Sequence, residues 1–247
     1  HYPVTIRSIM THHSGLPSDY LKEMKTLSPI SYEELINELK NHYYVSPPLT
    51  VLSYSNLAMT ILGYAVEKVS GKEFPEYVDN NILEKAEMLN SSFRLKEDMK
   101  PLLAKGYIKR NEFKQYDTYA VPAGLLYSNA DDMSRFIIAM LNNGSYDGLI
   151  IVTPETFNEM IRVQNNNIPL DYGTSIGLGW FLDKGSLEDY PGKVIQHGGD
   201  WEDFHAQLTI LPEAKLGVIV MTNSSSGAEL VRKIAAESMK ILSLIHI

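Results

Sequence analysis

Residues 194–222 read Val194-Ile-Gln-His-Gly-Gly-Asp-Trp-Glu-Asp-Phe-His-Ala-Gln-Leu-Thr-Ile-Leu-Pro-Glu-Ala-Lys-Leu-Gly-Val-Ile-Val-Met-Thr222. Aliphatic and β-branched residues crowd this stretch, and it predicts strands over Val194–His197, His205–Leu211 and Leu216–Thr222. Pro212-Glu-Ala-Lys215 is a short connection rich in turn formers, which makes the last two strands a hairpin. A further strand is expected upstream, over Leu178-Gly-Trp-Phe-Leu182. From Gly227 the period turns helical, with Val231, Ile234, Ala235 and Ser238 on one face, ready to cover the sheet.

Upstream of Asn165-Asn-Asn167 and Pro169, the best loop or boundary signal, helices dominate. Ser31-Tyr-Glu-Glu34 is a capping box ahead of Leu35, Ile36 and Leu39 at helical spacing. Leu57, Ile61, Tyr64, Ala65 and Lys68 trace one face of a second helix, which Gly71 can close in a left-handed conformation. Ser128 or Asn129 caps a third, and Thr153-Pro-Glu155 opens a fourth. Helices, then an antiparallel meander, then a closing helix make an α+β fold. The expected organisation is a mainly helical lobe over 1–168 and a sheet-and-helix lobe over 169–241.

Composition narrows the functional classes. A chain of 247 residues can bury a substantial core, and no apolar run approaches the ~20 residues of a membrane span. With 22 basic against 30 acidic residues, the formal charge of −8 argues against a general nucleic-acid binder. The absence of cysteine removes disulfides, Cys-ligated zinc and thiol nucleophiles. The chain starts at His1, without Met, inside a well-patterned segment, so an upstream portion is expected. Leu242-Ser-Leu-Ile-His-Ile247 reads as the in-frame product of a transposon-type sequencing adapter; the competing reading is the end of an apolar helix.

Three places carry potential chemistry. Tyr54-Ser55-Asn56 sits at a helix entrance, where a Tyr and an Asn two apart can face one cleft; the plain alternative is a cap with a core tyrosine. His197-Gly198-Gly199-Asp200 follows an apolar strand, and two glycines there admit close approach of another molecule to the backbone. One N–H of that edge can serve an oxyanion hole, against the alternative of a hairpin turn with a surface histidine. Thr11-His-His-Ser-Gly-Leu-Pro17 lacks a second ligand pair at metal spacing and reads as a turn with a hydrogen-bonded histidine.

Taken in order, these pieces resemble the serine β-lactamase/penicillin-binding-protein-like superfamily, on its class C β-lactamase, D-aminopeptidase and esterase branch. The matching segments are Val4–Pro17, Tyr54-Ser-Asn56 with Val69-Ser-Gly71, Ala123–Ser128, Gly177–Phe181, His197-Gly-Gly199 and Leu216–Asn223. The resemblance implies a β-lactamase/DD-peptidase-like fold and a serine hydrolase that forms an acyl-enzyme on amide or ester bonds. It also implies a small-molecule or peptide substrate, export from the cytoplasm, and neither a metal nor an organic cofactor. The family nucleophile lies in Ser-x-x-Lys, and no Ser in this chain is followed three residues later by Lys. The nucleophilic Ser and its Lys are therefore expected upstream. A non-catalytic relative that binds peptides or muropeptides is the competing reading.

By the same resemblance Tyr54 shares proton transfer with that Lys, Asn56 holds the Lys and the substrate amide, and His197 takes the place of the Lys in Lys-Thr-Gly. Gly198 and Gly199 line the substrate edge, the Asp200 N–H completes the oxyanion hole, and Asp200 and Trp201 shape the cleft. A phenol that ordinarily titrates near 10 needs a neighbouring cation and desolvation to act near neutrality, and the His197 charge should fade near pH 6.5. His-Gly-Gly in place of Lys-Thr-Gly leans the substrate toward peptides and esters.

Overall fold

The computed structural model describes residues 3–22, 26, 28–40, 44–114 and 116–245. Helices α1 (Ile6–Met10), α2 (Tyr32–Leu39), α3 (Asn56–Ser70) and α4 (Phe74–Val78) come first. A small hairpin follows, β1 (Gly106–Ile108) with β2 (Asn111–Phe113), and then α5 (Val121–Gly124) and α6 (Ala130–Leu141). A second hairpin, β3 (Ser145–Tyr146) with β4 (Leu149–Ile150), leads to α7 (Pro154–Met160). The main sheet is β5 (Ile195–Asp200), β6 (His205–Leu211) and β7 (Leu216–Thr222), and α8 (Ala228–Ile245) closes the chain. This is the α+β order that the sequence predicts.

Local chemistry sets the helix ends. Ser31 and Glu34 make the reciprocal capping box. Ser55 caps α3 by accepting the Ala58 N–H at 2.9 Å, and Gly71 ends it at φ 70°. Asn129, rather than Ser128, caps α6 by accepting the Asp132 N–H at 2.9 Å. Thr153 caps α7, with Pro154 in its first turn.

The sheet is antiparallel in the order β5-β6-β7, with Ile195 opposite Ile210, His197 opposite Leu208 and Leu211 opposite Leu216. Strands β6 and β7 have the predicted bounds. β5 runs further, through both glycines to Asp200, and the turn falls instead at Trp201–Phe204, where the Trp201 N–H donates to the Phe204 carbonyl at 2.9 Å. The stretch 178–182 is not a ladder strand. Gly179 stands at φ 72°, and only single bridges join Phe181 to Ile176 and to Gln196. Just before it, Gly177 is tightly packed, and a Cβ there would lie 2.2 Å from the Met160 carbonyl oxygen.

Apolar layers cover both faces of the sheet. Ile195, Leu208 and Ile210 pack with Ile137 and Met140 of α6 and Phe157 of α7. On the other face Val194 and Leu211 pack with Met239 of α8. The buried stripe of α8 is Val231, Ala235 and Met239, while Ile234, expected on the covered face, is 42% exposed. Both the 231/235/239 and the 231/234/238 sets share a helix face, and the packing settles which one is covered: Met239 fills the space under the sheet beside Val194 and Leu211. α8 extends through Ile245, so it includes most of the stretch read as adapter-derived; His246 and Ile247 lie outside the described residues, as do His1 and Tyr2. Among the described residues no helix is long and apolar enough to cross a membrane.

Candidate active site

The site forms where the entrance of α3 meets the outer edge of β5. Four rings gather there. Tyr54 lies 4.2 Å from His12, 6.2 Å from His197 and 6.3 Å from Phe181, measured between ring centroids, and Phe181 lies 5.6 Å from His197. Tyr54 and His197, 143 positions apart in the sequence, thus share one cluster, and Tyr54 remains 37% exposed at its mouth.

A buried scaffold holds the Tyr54 segment. The Ser55 N–H donates to His12 Nδ1 at 3.1 Å, and the Ser55 hydroxyl donates to the Pro17 carbonyl at 2.6 Å. Because Nδ1 accepts, the His12 proton resides on Nε2. Burial, with smaller contributions from His197 and His13, pushes His12 down to about 4, so it is neutral at physiological pH. His12 also adopts φ 57°, a left-handed turn that lets His13 point the other way. His13 Nε2 donates to Asp171 Oδ2 at 2.9 Å, and Asp171 Oδ1 accepts the Leu52 N–H at 2.7 Å. The Asn165 amide donates to the same carboxylate. The paired histidines therefore pin residues 52–55 from two sides, one directly and one through Asp171.

The β5 edge is open where the second site motif lies. Gln196 exchanges both backbone hydrogen bonds with Phe181, at 2.9 and 3.0 Å, so its polar groups face away from β6. Strand alternation then turns the backbone groups of Gly198 and Asp200 to the same outer edge, and sets Gly199 on the face that carries His197. Neither glycine has a positive φ. A Cβ on Gly199 would meet only Ala206 Cβ at 3.8 Å, and one on Gly198 only the flexible Gln207 amide at 3.2 Å and the Ala206 carbonyl at 3.7 Å. The fold itself does not demand glycine at either position; their effect is to leave the His197 face and the strand edge uncovered.

His197 Nδ1 lies 2.6 Å from the Gly198 carbonyl, which can only accept, so Nδ1 carries the proton and Nε2 is a lone-pair acceptor. Burial lowers the His197 pKa, which the Gly198 hydrogen bond only partly opposes, so the expected fading near pH 6.5 moves to lower pH. At neutral pH His197 is therefore not a cation for a carboxylate. Tyr54 also departs from expectation: burial, Asp19 and Asp200 all raise its phenol above its ordinary value. Desolvation works against a phenolate here, and only a cation can bring it within reach of neutrality.

The remaining predicted residues sit around this cluster. Asn56 opens α3 and donates from Nδ2 to Asp19 Oδ1 at 3.0 Å. The Asp200 carboxylate accepts from His205 Nδ1 at 2.7 Å and from Arg232 of α8. Trp201 turns toward Tyr116, with ring centroids 5.7 Å apart. The sequence reading finds His12 and His13 only as a turn with a hydrogen-bonded histidine, and it does not find Asp19 or Asp171, whose partners lie far along the chain. The one signal for Asp19 is its place two residues after the Thr11–Pro17 motif. Among the described residues no group of three or more His, Asp or Glu is arranged to hold a metal ion.

Comparison with known proteins agrees with this architecture. "Beta-lactamase-like protein 2" of Dictyostelium discoideum is 27% identical over 230 residues, which is 87% of this chain and 39% of that protein. The octameric penicillin-binding protein homologue of Pyrococcus abyssi superposes with a TM-score of 0.78 at 26% identity, over 97% of this chain and 56% of that one. A β-lactamase/D-alanine carboxypeptidase from Yersinia pestis, 19% identical, shares the fold with a TM-score of 0.73 over 99% of this chain and 69% of its own. This chain thus spans about two fifths of its curated relative. Residues 1–240 match the Beta-lactamase family as a whole, and the chain belongs to that family.

Proposed function

We propose that this chain is the Tyr/His-bearing part of a metal-independent serine hydrolase that works through an acyl-enzyme on amide or ester bonds, with D-amino-acid peptides, esters or β-lactams as substrates. The observation that carries the reading is the meeting of Tyr54 and His197, 6.2 Å apart, beside an uncovered strand edge. The names of the relatives support the same chemistry, since one of them is a D-alanine carboxypeptidase.

In this reading the serine from upstream attacks the scissile carbonyl while its proton passes toward the Tyr54 oxygen. Tyr54 takes part only when a cation offsets Asp19, Asp200 and burial, the role for the upstream Lys. The Asp200 N–H donates to the developing oxyanion from the β5 edge. A substrate strand lies along Gly198–Asp200, using the polar groups that β6 does not occupy. His197, neutral with Nε2 as acceptor, receives a hydrogen bond from substrate or from the Tyr54 hydroxyl. The Asn56 carboxamide accepts from the upstream ammonium.

The test is to label the full-length protein with a fluorophosphonate and a fluorescent penicillin, then repeat it with Tyr54→Phe. Active-site labelling that drops about 100-fold in rate in the variant, a span typical for general acid–base groups, supports the reading. Saturable binding of peptide with no covalent adduct in the wild type overturns it in favour of a binding protein. Undiminished labelling of Tyr54→Phe removes Tyr54 from the mechanism.

A further inference from the structure

Asn56 can serve its proposed role only if its amide presents oxygen, not nitrogen, to the cleft, and nothing within the Asn side chain decides which end faces where. The decision is made outside it. Asn56 Nδ2 donates to Asp19 Oδ1 at 3.0 Å, and an ionised carboxylate can only accept. With Nδ2 committed to Asp19, the acceptor Oδ1 is the end that remains for the cleft. Asp19 is itself fixed: the Ser18 hydroxyl donates to Asp19 Oδ2 at 2.6 Å, and the Ser18 carbonyl accepts the Leu57 N–H at 3.1 Å. The loop is stitched to α3 a second time by the hydrogen bond from Ser55 to Pro17. Residues 17–19 and 55–57 thus form one doubly tied unit, with the Asp19 carboxylate facing the helix entrance.

We propose that Asp19 is a positioning residue that locks the Asn56 carboxamide with its oxygen toward the cleft and supplies the negative charge that makes the Tyr54–Asn56 corner select a cation. The proposal rests on the hydrolase reading for its catalytic consequence but not for its geometry. Asp19 acts on both partners: it holds Asn56 by a hydrogen bond, and its charge raises the Tyr54 phenol together with burial and Asp200. The other titratable rings facing Tyr54, His12 and His197, are neutral at pH 7 and do not offset that charge. An ammonium placed there gains from Asp19, from the Asn56 oxygen and from the phenol, whereas an anion meets two carboxylates. A neutral Asn at position 19 keeps the shape but not the charge, and its own amide can turn either way. Glu keeps the charge and reaches further.

The experiment compares Asp19→Ala, Asp19→Asn and Asp19→Glu in the full-length protein. Two spectroscopic readouts need no turnover: the Asn56 side-chain amide pair, assigned by its loss in Asn56→Ala, and the Tyr54 ring titration, assigned with Tyr54→Phe. The expected result is that Asp19→Ala collapses the Asn56 amide dispersion and lowers the Tyr54 midpoint. Asp19→Asn lowers the Tyr54 midpoint at nearly native stability, and Asp19→Glu restores both readouts in part. Fluorophosphonate labelling slows about tenfold or more in Asp19→Ala, in the rate constant rather than in half-saturation. An unchanged Asn56 amide and an unchanged Tyr54 titration in folded Asp19→Ala overturn the proposal. Should Asp19→Ala fail to fold, the Tyr54 midpoint in Asp19→Asn decides, and an unmoved midpoint there is equally fatal. Wild-type protein that never labels sinks the hydrolase reading, while the two spectroscopic readouts still judge Asp19.

Discussion

His12 is a buried histidine whose ring packs against Tyr54 and accepts a hydrogen bond, which makes acid stability the sharpest test of the site scaffold. Its side chain is enclosed, its Nδ1 receives the Ser55 N–H, and burial holds it at about 4 against 6.5 for a free histidine. The folded pKa lies below the unfolded one, so between the two values the unfolded chain binds the extra proton. Stability is unpenalised above pH 6.5, falls as pH drops from 6.5 toward 4, and stays reduced below that. At about 1.4 kcal/mol per pH unit, this one group costs about 3 kcal/mol over that window. Asn is the informative replacement, because it tolerates the left-handed backbone at φ 57° and its oxygen can still accept from Ser55. Urea unfolding of wild type and His12→Asn at pH 7.0 and 4.5 separates the effects. The cavity left by Asn lowers both points equally, and the carboxylates titrate alike in both proteins. Only the His12 increment differs, so the variant should lose about 2–3 kcal/mol less between the two pH values. Parallel pH profiles for the two proteins would falsify the assignment of His12 as a neutral, Nε2-protonated strut.

Asp171 is the other anchor, accepting from His13, Leu52 and Asn165 while almost fully buried. Asp171→Ala strands those donors and should cost about 3 kcal/mol or more in chemical unfolding, with Tyr54 fluorescence or NMR reporting disorder at the site. Its carboxyl is held below the ordinary carboxylate value, so its contribution is present above about pH 4 and fades on further acidification. In α8, Met239→Ala should cost about 2–5 kcal/mol because Met239 is fully enclosed, whereas Ile234→Ala, at a 42% exposed site, should change stability by less than about 1 kcal/mol. Equal losses at the two positions, measured by urea titration, refute the buried stripe assigned to this helix.

What the sequence reveals and what it hides divide along physical lines. Signals carried by neighbours in the chain are legible: the Ser31/Glu34 box, the Ser55 and Thr153 caps and the αL Gly71 all involve residues within four positions. The β6–β7 hairpin is legible because alternation and a Pro-to-Lys turn specify it locally. The end of β5 is not, since Gly198 and Gly199 carry no side-chain pattern and pair through backbone alone, opposite Gln207 and Ala206. The α8 stripe fails for a different reason. Spacings of three and four from Val231 both suit a helix, and only the sheet beneath chooses Ala235 and Met239 over Ile234. At the site, motif order names Tyr54, Asn56 and His197, but their working environment comes from partners set by tertiary contact. Asp19 is 37 residues from Asn56, and Asp171 is 158 residues from His13. Neither contact leaves a period or a spacing to read.

Those tertiary partners change the chemistry more than they change the geometry. The family resemblance suggests a tyrosine that shares proton transfer with an upstream Lys, beside a histidine whose charge fades near pH 6.5. The structure instead gives two neutral histidines, each with its tautomer dictated by a backbone group, and a phenol held up by burial and by carboxylates at 19 and 200. A corner of this kind cannot generate a base from its own groups near neutrality, because every influence on Tyr54 favours the protonated form. In the hydrolase reading a positive charge completes it, and the gain on receiving one is large where the local dielectric is low. The Asp200 carboxylate is tied to His205 and Arg232, so part of its charge is taken up by the Arg232 guanidinium. Asp19 is hydrogen-bonded to the neutral groups of Ser18 and Asn56, and it contributes more than Asp200 to raising the Tyr54 phenol.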